Sequence, residues 1–274
     1  MVEFSLGDRN LCMKIALCIK QVPDTADIKW TENNTIQREG VESVINPFDT
    51  YAIETAVRLK EKIKDVHISV LSMGPPQATE ILKKAISMGV DEGFLVSDRK
   101  FAGADTVATS RTLATAITEK VKGVDLIICG QFATDGDTAQ TGPSIAQHLN
   151  IAQVTYVKEI TGFKDGFLTV KREVEDGTEI LKVKLPAVLC MLKCDYEPRR
   201  PLISGFVKAH NSDIKSYSME NIGLQAEEVG MKGSPTYVSK AFRPEQKQGG
   251  EVITPESAKN AAEILKEKIK ELQR

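Results

Sequence analysis

The sequence predicts an α/β fold: a parallel sheet with helices on its faces, antiparallel additions, and a C-terminal arm and helix. Three observations carry this. Short apolar runs such as Lys14–Ile19 and Val124–Cys129 alternate with segments of helical period; Gln153 to Met191 reads as strands with no helix between them; and after Arg200 both periods fade until a last amphipathic stretch.

At 274 residues, with 41% hydrophobic and 27% charged side chains, the chain has an ordinary globular composition and enough length to bury a core. Its 36 basic and 38 acidic residues leave a net charge of −2, so no cationic excess exists to displace counterions from nucleic acid. No run of roughly 18 apolar residues occurs, and the N-terminus has neither a basic-then-apolar leader nor a small-residue cleavage site. A cytoplasmic protein without membrane insertion is expected. The cysteines Cys12, Cys18, Cys129, Cys190 and Cys194 mostly sit inside apolar runs and form no CxxC pair, as buried thiols in a reducing compartment do. His67, His148 and His210 lie far apart in sequence, which argues against a His-rich metal site or a nucleophilic triad.

The strand pattern begins directly after Met13, so residues 1–12 are read as an extension and Met13 as the natural start. Residues 27–30 and 35–38 flank an Asn33-Asn34 pair suited to a hairpin turn. Asn46-Pro47 opens a helix with a side-chain acceptor at the cap and proline in the first turn, and Ala52, Ala56, Leu59 and Ile63 form its apolar stripe. Val66–Leu71 reads as a strand, Pro75–Met88 as a helix closed by Gly89, Gly93–Val96 as a strand and Thr106–Val121 as a helix. Val154–Ile160, Phe167–Val174, Glu179–Lys184 and Ala187–Met191 read as antiparallel strands, with Asp165-Gly166 as a turn. Residues 204–250 are expected to be an arm, and Thr254-Pro255 to cap a final helix with Ala258, Ala261, Leu265, Ile269 and Leu272 on one face. The divisions drawn are 1–12 extension, 13–210 α/β nucleotide-binding core, and 211–274 arm and helix. The terminal helix has either its own domain or another subunit to dock on.

In a parallel α/β sheet, ligands bind beyond the carboxyl ends of the strands, which directs attention to Cys18, Met73 and Cys129. No P-loop, GxGxxG fingerprint or GxSxG elbow is present. The loop after the Val124 strand, made of Gly130, Gln131, Phe132, Ala133, Thr134, Asp135, Gly136, Asp137, Thr138, Ala139, Gln140, Thr141 and Gly142, precedes a helix. Its amides and the helix dipole can therefore face an anion, with Thr138, Gln140 and Thr141 as side-chain donors. Asp135 and Asp137 would repel a phosphate and are expected to face ribose hydroxyls, backbone N–H groups or solvent; a plain connecting turn capped by Asp is the alternative. Two carboxylates two residues apart on one loop do not suit glycoside hydrolysis.

Four blocks resemble the electron transfer flavoprotein beta subunit from Lys14 nearly to the end: Cys18-Ile19-Lys20-Gln21-Val22-Pro23-Asp24; Asn46-Pro47-Phe48-Asp49 through Glu61; the Gly130 loop; and Val170-Lys171-Arg172-Glu173-Val174-Glu175-Asp176-Gly177 to Val188. The resemblance implies a universal-stress-like adenine-nucleotide-binding fold and an alpha-subunit partner with its own FAD. It places the family's nucleotide contacts at Cys18, Asn46, Pro47, Phe48, Asp49, Met73 and Gly130 to Thr141. The stretch Asp135 to Gln140 is similar to that of electron-bifurcating members. That similarity implies FAD in place of the structural AMP of housekeeping members, NADH as electron donor, ferredoxin or flavodoxin as one acceptor, and a dehydrogenase of acyl-CoA or other type as the second. No side chain need act as a catalytic acid or base. Glu197 to Ala209 resembles the family's recognition loop for the dehydrogenase, with Ile203 aligned to the apolar anchor and Arg199 and Lys208 beside it; a surface loop without that role is the alternative. A nucleotide-binding module of universal stress type with no redox role is the reading from a different class.

Overall fold

The computed structural model describes residues 12–24, 43–239, 249 and 252–272. The hairpin expected at residues 27–38 lies outside them. The chain forms two compact units, Met1–Ser239 and Lys240–Arg274.

The first unit contains strands β1 (Met13–Cys18), β2 (Gln21–Pro23), β3 (Ser43–Ile45), β4 (Val66–Met73), β5 (Glu92–Val96), β6 (Leu126–Gly130), β7 (Ala152–Lys164), β8 (Phe167–Val174), β9 (Gly177–Lys184), β10 (Ala187–Met191) and β11 (Lys215–Tyr217). Its helices are α1 (Pro47–Lys62), α2 (Thr79–Ser87), α3 (Thr106–Ala116), α4 (Thr141–Leu149) and α5 (Ile203–His210). Nine strands form one sheet in the order β11-β5-β4-β1-β6-β10-β7-β8-β9, and β2 pairs with β3. Every pairing from β11 to β7 is parallel, and β7–β8 and β8–β9 are antiparallel.

The central strands are apolar on both sides because both faces are covered. Ile15, Leu17, Ile68, Val70, Leu126, Ile128 and Leu189 share a core with Ile53, Ala56 and Leu59 of α1 and Ile81, Leu82 and Ile86 of α2. Ala16, Cys18, Leu71, Ile127, Cys129, Val188 and Cys190 share the other with Leu113 and Ala116 of α3 and Ile145 and Ala146 of α4. The Asp165-Gly166 turn between β7 and β8 has φ of 52° and 77°, the left-handed pair that suits a tight hairpin.

Five expectations change. β10 is parallel and sits between β6 and β7, not in the antiparallel run; all five of its residues are buried, as a central strand requires. Pro76–Ala78 is a 3-10 turn ahead of α2, and α3 gives way at Ile117–Val121 to a π turn. The segment from 211, expected to be an arm, continues the first unit: β11 extends the sheet edge, and Met219, Ile222, Leu224 and Val229 are buried against the α3 side. Their irregular spacing fits neither period 2 nor 3.6, which is why composition alone suggested a linker. The second unit holds α6 (Ala258–Leu272), whose start is made not by Thr254-Pro255 but by Ser257, its hydroxyl accepting the Asn260 N–H at 3.2 Å and its carbonyl the Ala261 N–H at 2.9 Å. No residue of α6 is buried. Among the described residues no helix is long and apolar enough to cross a membrane.

Candidate functional site

The strand order reverses between β1 and β6: β4 and β5 lie to one side, β10 and β7 to the other. Such a switch point opens a crevice at the carboxyl ends of the strands. Cys18, Cys129 and Cys190 lie in register near the carboxyl ends of β1, β6 and β10, beneath the start of α4. Their sulfurs pack as small apolar groups, with Cys129 and Cys190 3.7 Å apart. Burial first, then the nearby Asp49 charge, pushes the Cys18 thiol up to about 12, so it stays neutral. All five cysteines are free thiols, and among the described residues no group of His, Cys, Asp or Glu is arranged to hold a metal ion.

The β6–α4 loop is tied from one side by the start of α1. Asn46, expected as a helix cap, makes no side-chain cap; its Nδ2 donates to Phe132 O at 2.6 Å and its Oδ1 accepts Thr134 N–H at 3.2 Å. Asp49 accepts Gly130 N–H at 2.9 Å and Lys20 N–H at 2.7 Å. Phe48 meets Phe132 edge to face at 5.2 Å, and Phe132 meets Tyr156 in the same way at 6.0 Å. Gln131 is buried and accepts Tyr156 N–H at 2.6 Å. The first half of the loop is thereby immobilised by bonds that the sequence reading did not foresee.

Asp135 is exposed, and both of its carboxylate oxygens accept from Lys20 Nζ, at 2.6 and 2.8 Å, a pairing that the sequence pattern did not indicate. That pairing removes the repulsion an isolated carboxylate would exert on a phosphate.

The second half of the loop is different. Asp137 and Ala139 have φ of 49° and 56°, and Gln140 Oε1 accepts the Thr106 hydroxyl at 2.8 Å from the start of α3. No backbone N–H from Thr138 to Gly142 has a partner among the described residues, and α4 lacks a side-chain cap. Five consecutive amides at the positive end of a helix dipole make an anion cradle. Gly142 lets this end sit directly on the sheet: a Cβ there would strike the Cys190 sulfur and come within 2.8 Å of that of Cys129. These donors fit a phosphate or diphosphate group.

The structure therefore brings together Cys18, Asn46, Phe48, Asp49 and the loop from Gly130 to Thr141. Pro47 is exposed in the first turn of α1, and Met73 ends β4 opposite Val96, one strand away from β6 beyond β1. Lys20, Thr106 and Tyr156 were missed as site residues. Lys20 follows the end of β1 and the strand-end rule alone would have flagged it; nothing local marks the other two.

The three residues expected on a partner surface behave differently from one another. Arg199 donates to Glu54 Oε2 at 2.8 Å and Glu61 Oε1 at 2.6 Å, so its guanidinium is engaged with α1. Burial works against the Glu54 charge, but bonds from Arg199 and Arg58 outweigh it and hold the carboxyl below its usual range. Lys208 donates to Val90 O at 2.9 Å. Ile203 is 85% exposed, and with Leu202, Phe206 and Val207 it makes α5 an apolar surface rather than a loop.

A parallel sheet with helices on both faces and a switch-point crevice defines a doubly wound α/β protein. The model of the Electron transfer flavoprotein domain matches residues 33–214. The chain is 45% identical over 260 residues to the "Caffeyl-CoA reductase-Etf complex subunit CarD" of Acetobacterium woodii, covering 94% of this chain and 98% of that one. It is 43% identical to the electron transfer flavoprotein subunit beta of Megasphaera elsdenii (89% and 92% covered) and 40% identical to protein FixA of Sinorhizobium fredii (85% and 84%). The chain belongs to the electron transfer flavoprotein family, among its beta subunits, and a beta subunit implies an alpha-subunit partner.

Proposed function

We propose that this chain holds a FAD in the β6–α4 crevice and, with its alpha subunit, takes electrons from NADH and divides them between ferredoxin or flavodoxin and a partner dehydrogenase. The observation that carries the reading is the run of amides from Thr138 to Gly142 with no partner among the described residues, long enough to meet a diphosphate rather than a single phosphate. The relative from Acetobacterium woodii, which by its name belongs to a complex with a caffeyl-CoA reductase, supports a dehydrogenase-type partner of the acyl-CoA class.

When bound, the flavin supplies hydride acceptance and one-electron transfer, and the chain supplies binding and placement. Thr138 to Gly142 would hold the phosphates, with the hydroxyls of Thr138 and Thr141 as further donors. Asn46 and Asp49 fix the path of residues 130–134, Lys20 pairs with Asp135, and the Phe48–Phe132 contact holds the loop against the start of α1. The exposed α5 face, centred on Ile203, meets the dehydrogenase, and the apolar stripe of α6 docks on the alpha subunit.

AMP is the second reading, favoured if only the first turn of α4 is engaged. Denaturing release of nucleotides from the complex of this chain with its alpha subunit distinguishes the two. The proposal expects two FAD per heterodimer; one FAD with one AMP would replace it by the structural-nucleotide reading. A complex with no flavin, and ATP bound by this chain, would favour a module without a redox role.

A further inference from the structure

Cys18 and Cys129 are the last residues paired between β1 and β6. Beyond them the strands part: Ile19 N–H turns to Leu71 O on β4 at 3.0 Å, and Gln131 N–H turns to Met191 O on β10 at 2.8 Å. Two donors are left facing the gap, the N–H groups of Lys20 and Gly130. Both end on one carboxylate, that of Asp49, at 2.7 and 2.9 Å. Asp49 comes from the first turn of α1 and is 4% exposed. The space is filled: a Cβ on Gly130 would collide with Asp49 Oδ1 and approach Phe48 Cβ at 2.7 Å.

We propose that Asp49 is a strut across the switch point, a positioning residue whose carboxylate replaces the missing ladder bonds between β1 and β6 and sets the width of the crevice. It acts on a ligand through Lys20 and Gly130, not by touching it. The role needs two acceptors facing two donors, which a carboxylate has and an amide lacks. Because the strut uses up both amides at the floor and leaves a negative charge there, phosphates are directed to the α4 side. The part of a ligand above Asp49 must be uncharged, as a ribose or a base is. This consequence for ligands rests on the nucleotide reading given above.

Cys18 from β1, Cys129 from β6, Lys20 from the β1–β2 turn and the amide of Asn46 face the carboxylate. Both thiols are raised and stay neutral, so the carboxyl is the group that changes charge at moderate pH. Burial pushes it up to about 7, against its bonds to the Lys20 and Gly130 amides, so the strut is complete only on the alkaline side of that value.

The test uses the full-length chain. In the wild type, the backbone amide NMR signals of Lys20 and Gly130 should titrate together with one midpoint, and Asp49→Asn should abolish that titration. FAD, whose diphosphate stays ionised across the range, should bind Asp49→Asn at least tenfold more weakly at alkaline pH, and wild-type affinity should fall with acid while that of the variant stays flat. Amides that titrate independently or not at all would overturn the strut, and this holds even if the variant fails to fold. Equal FAD affinity and equal pH profiles in the two proteins would overturn its effect on the ligand. If the amides titrate together and the wild type binds neither FAD nor AMP, the strut stands and the nucleotide reading falls.

Discussion

Asp49 makes the stability of the fold depend on pH. The folded protein keeps a proton on this carboxyl up to about 7, whereas the unfolded chain releases it near 3.8. Its contribution is therefore fully favourable below the unfolded value and is lost as pH rises through the folded one. On the linkage scale the loss is on the order of 4 kcal/mol, with the two amide bonds to the ionised carboxylate already counted in the shift. Urea unfolding across pH should show wild-type stability falling relative to Asp49→Asn between the two values and a constant difference above them; parallel curves would refute the shift. Gly142 gives a second test at this scale. Gly142→Ala should cost about 1–3 kcal/mol by overpacking against the Cys129 and Cys190 sulfurs, and adding Cys190→Ala should restore part of it, as a double-mutant cycle would reveal.

At the scale of elements, α5 is held in place by contacts that leave its apolar face outward. Gly205 lies against the Ser87 carbonyl at the end of α2, where a Cβ would clash, Lys208 reaches Val90 O, and Lys84 Nζ stands 5.3 Å from the Phe206 ring. Gly205→Ala should displace α5 and raise the KM for the partner dehydrogenase several-fold while leaving nucleotide content unchanged; loss of both together would mean that the unit as a whole had been damaged. Arg199 anchors the segment before α5 to buried Glu54. Arg199→Ala should lower stability by about 2–3 kcal/mol in urea, less than a fully orphaned buried charge would, because Arg58 still pairs with Glu54. These elements also mark what the sequence made legible. The start of α1 at Asn46-Pro47 and the Asp165-Gly166 turn were readable because they depend on neighbouring residues. The place of β10 between β6 and β7 was not, since an apolar run such as Ala187–Met191 states that a strand is buried and leaves its partners open. The Lys20–Asp135 bridge joins residues 115 apart, so no local pattern contains it.

For the whole molecule, the sheet order matters more than any single motif. The loop after β6 has no glycine-rich fingerprint, and its chemistry comes from its place: beside the β1–β6 reversal, ahead of α4, and tied by α1 in its first half, by Lys20 at Asp135 and by Thr106 at Gln140. Alternation of strands and helices predicted such a crevice and the residues at its mouth. The bare amides were beyond sequence, because whether a helix start is capped depends on where Gln140 and Asp137 point after folding. The extent of the first unit to Ser239 was likewise hidden, being built from isolated apolar residues in 3-10 turns.

What the start of α4 holds decides the function of the crevice. A crystal structure of the chain with its alpha subunit and its native nucleotide should place phosphate oxygens within hydrogen-bond distance of the amides from Thr138 to Gly142, with the sugar or base above Asp49. A nucleotide seated elsewhere, with those amides bonded only to water, would contradict it.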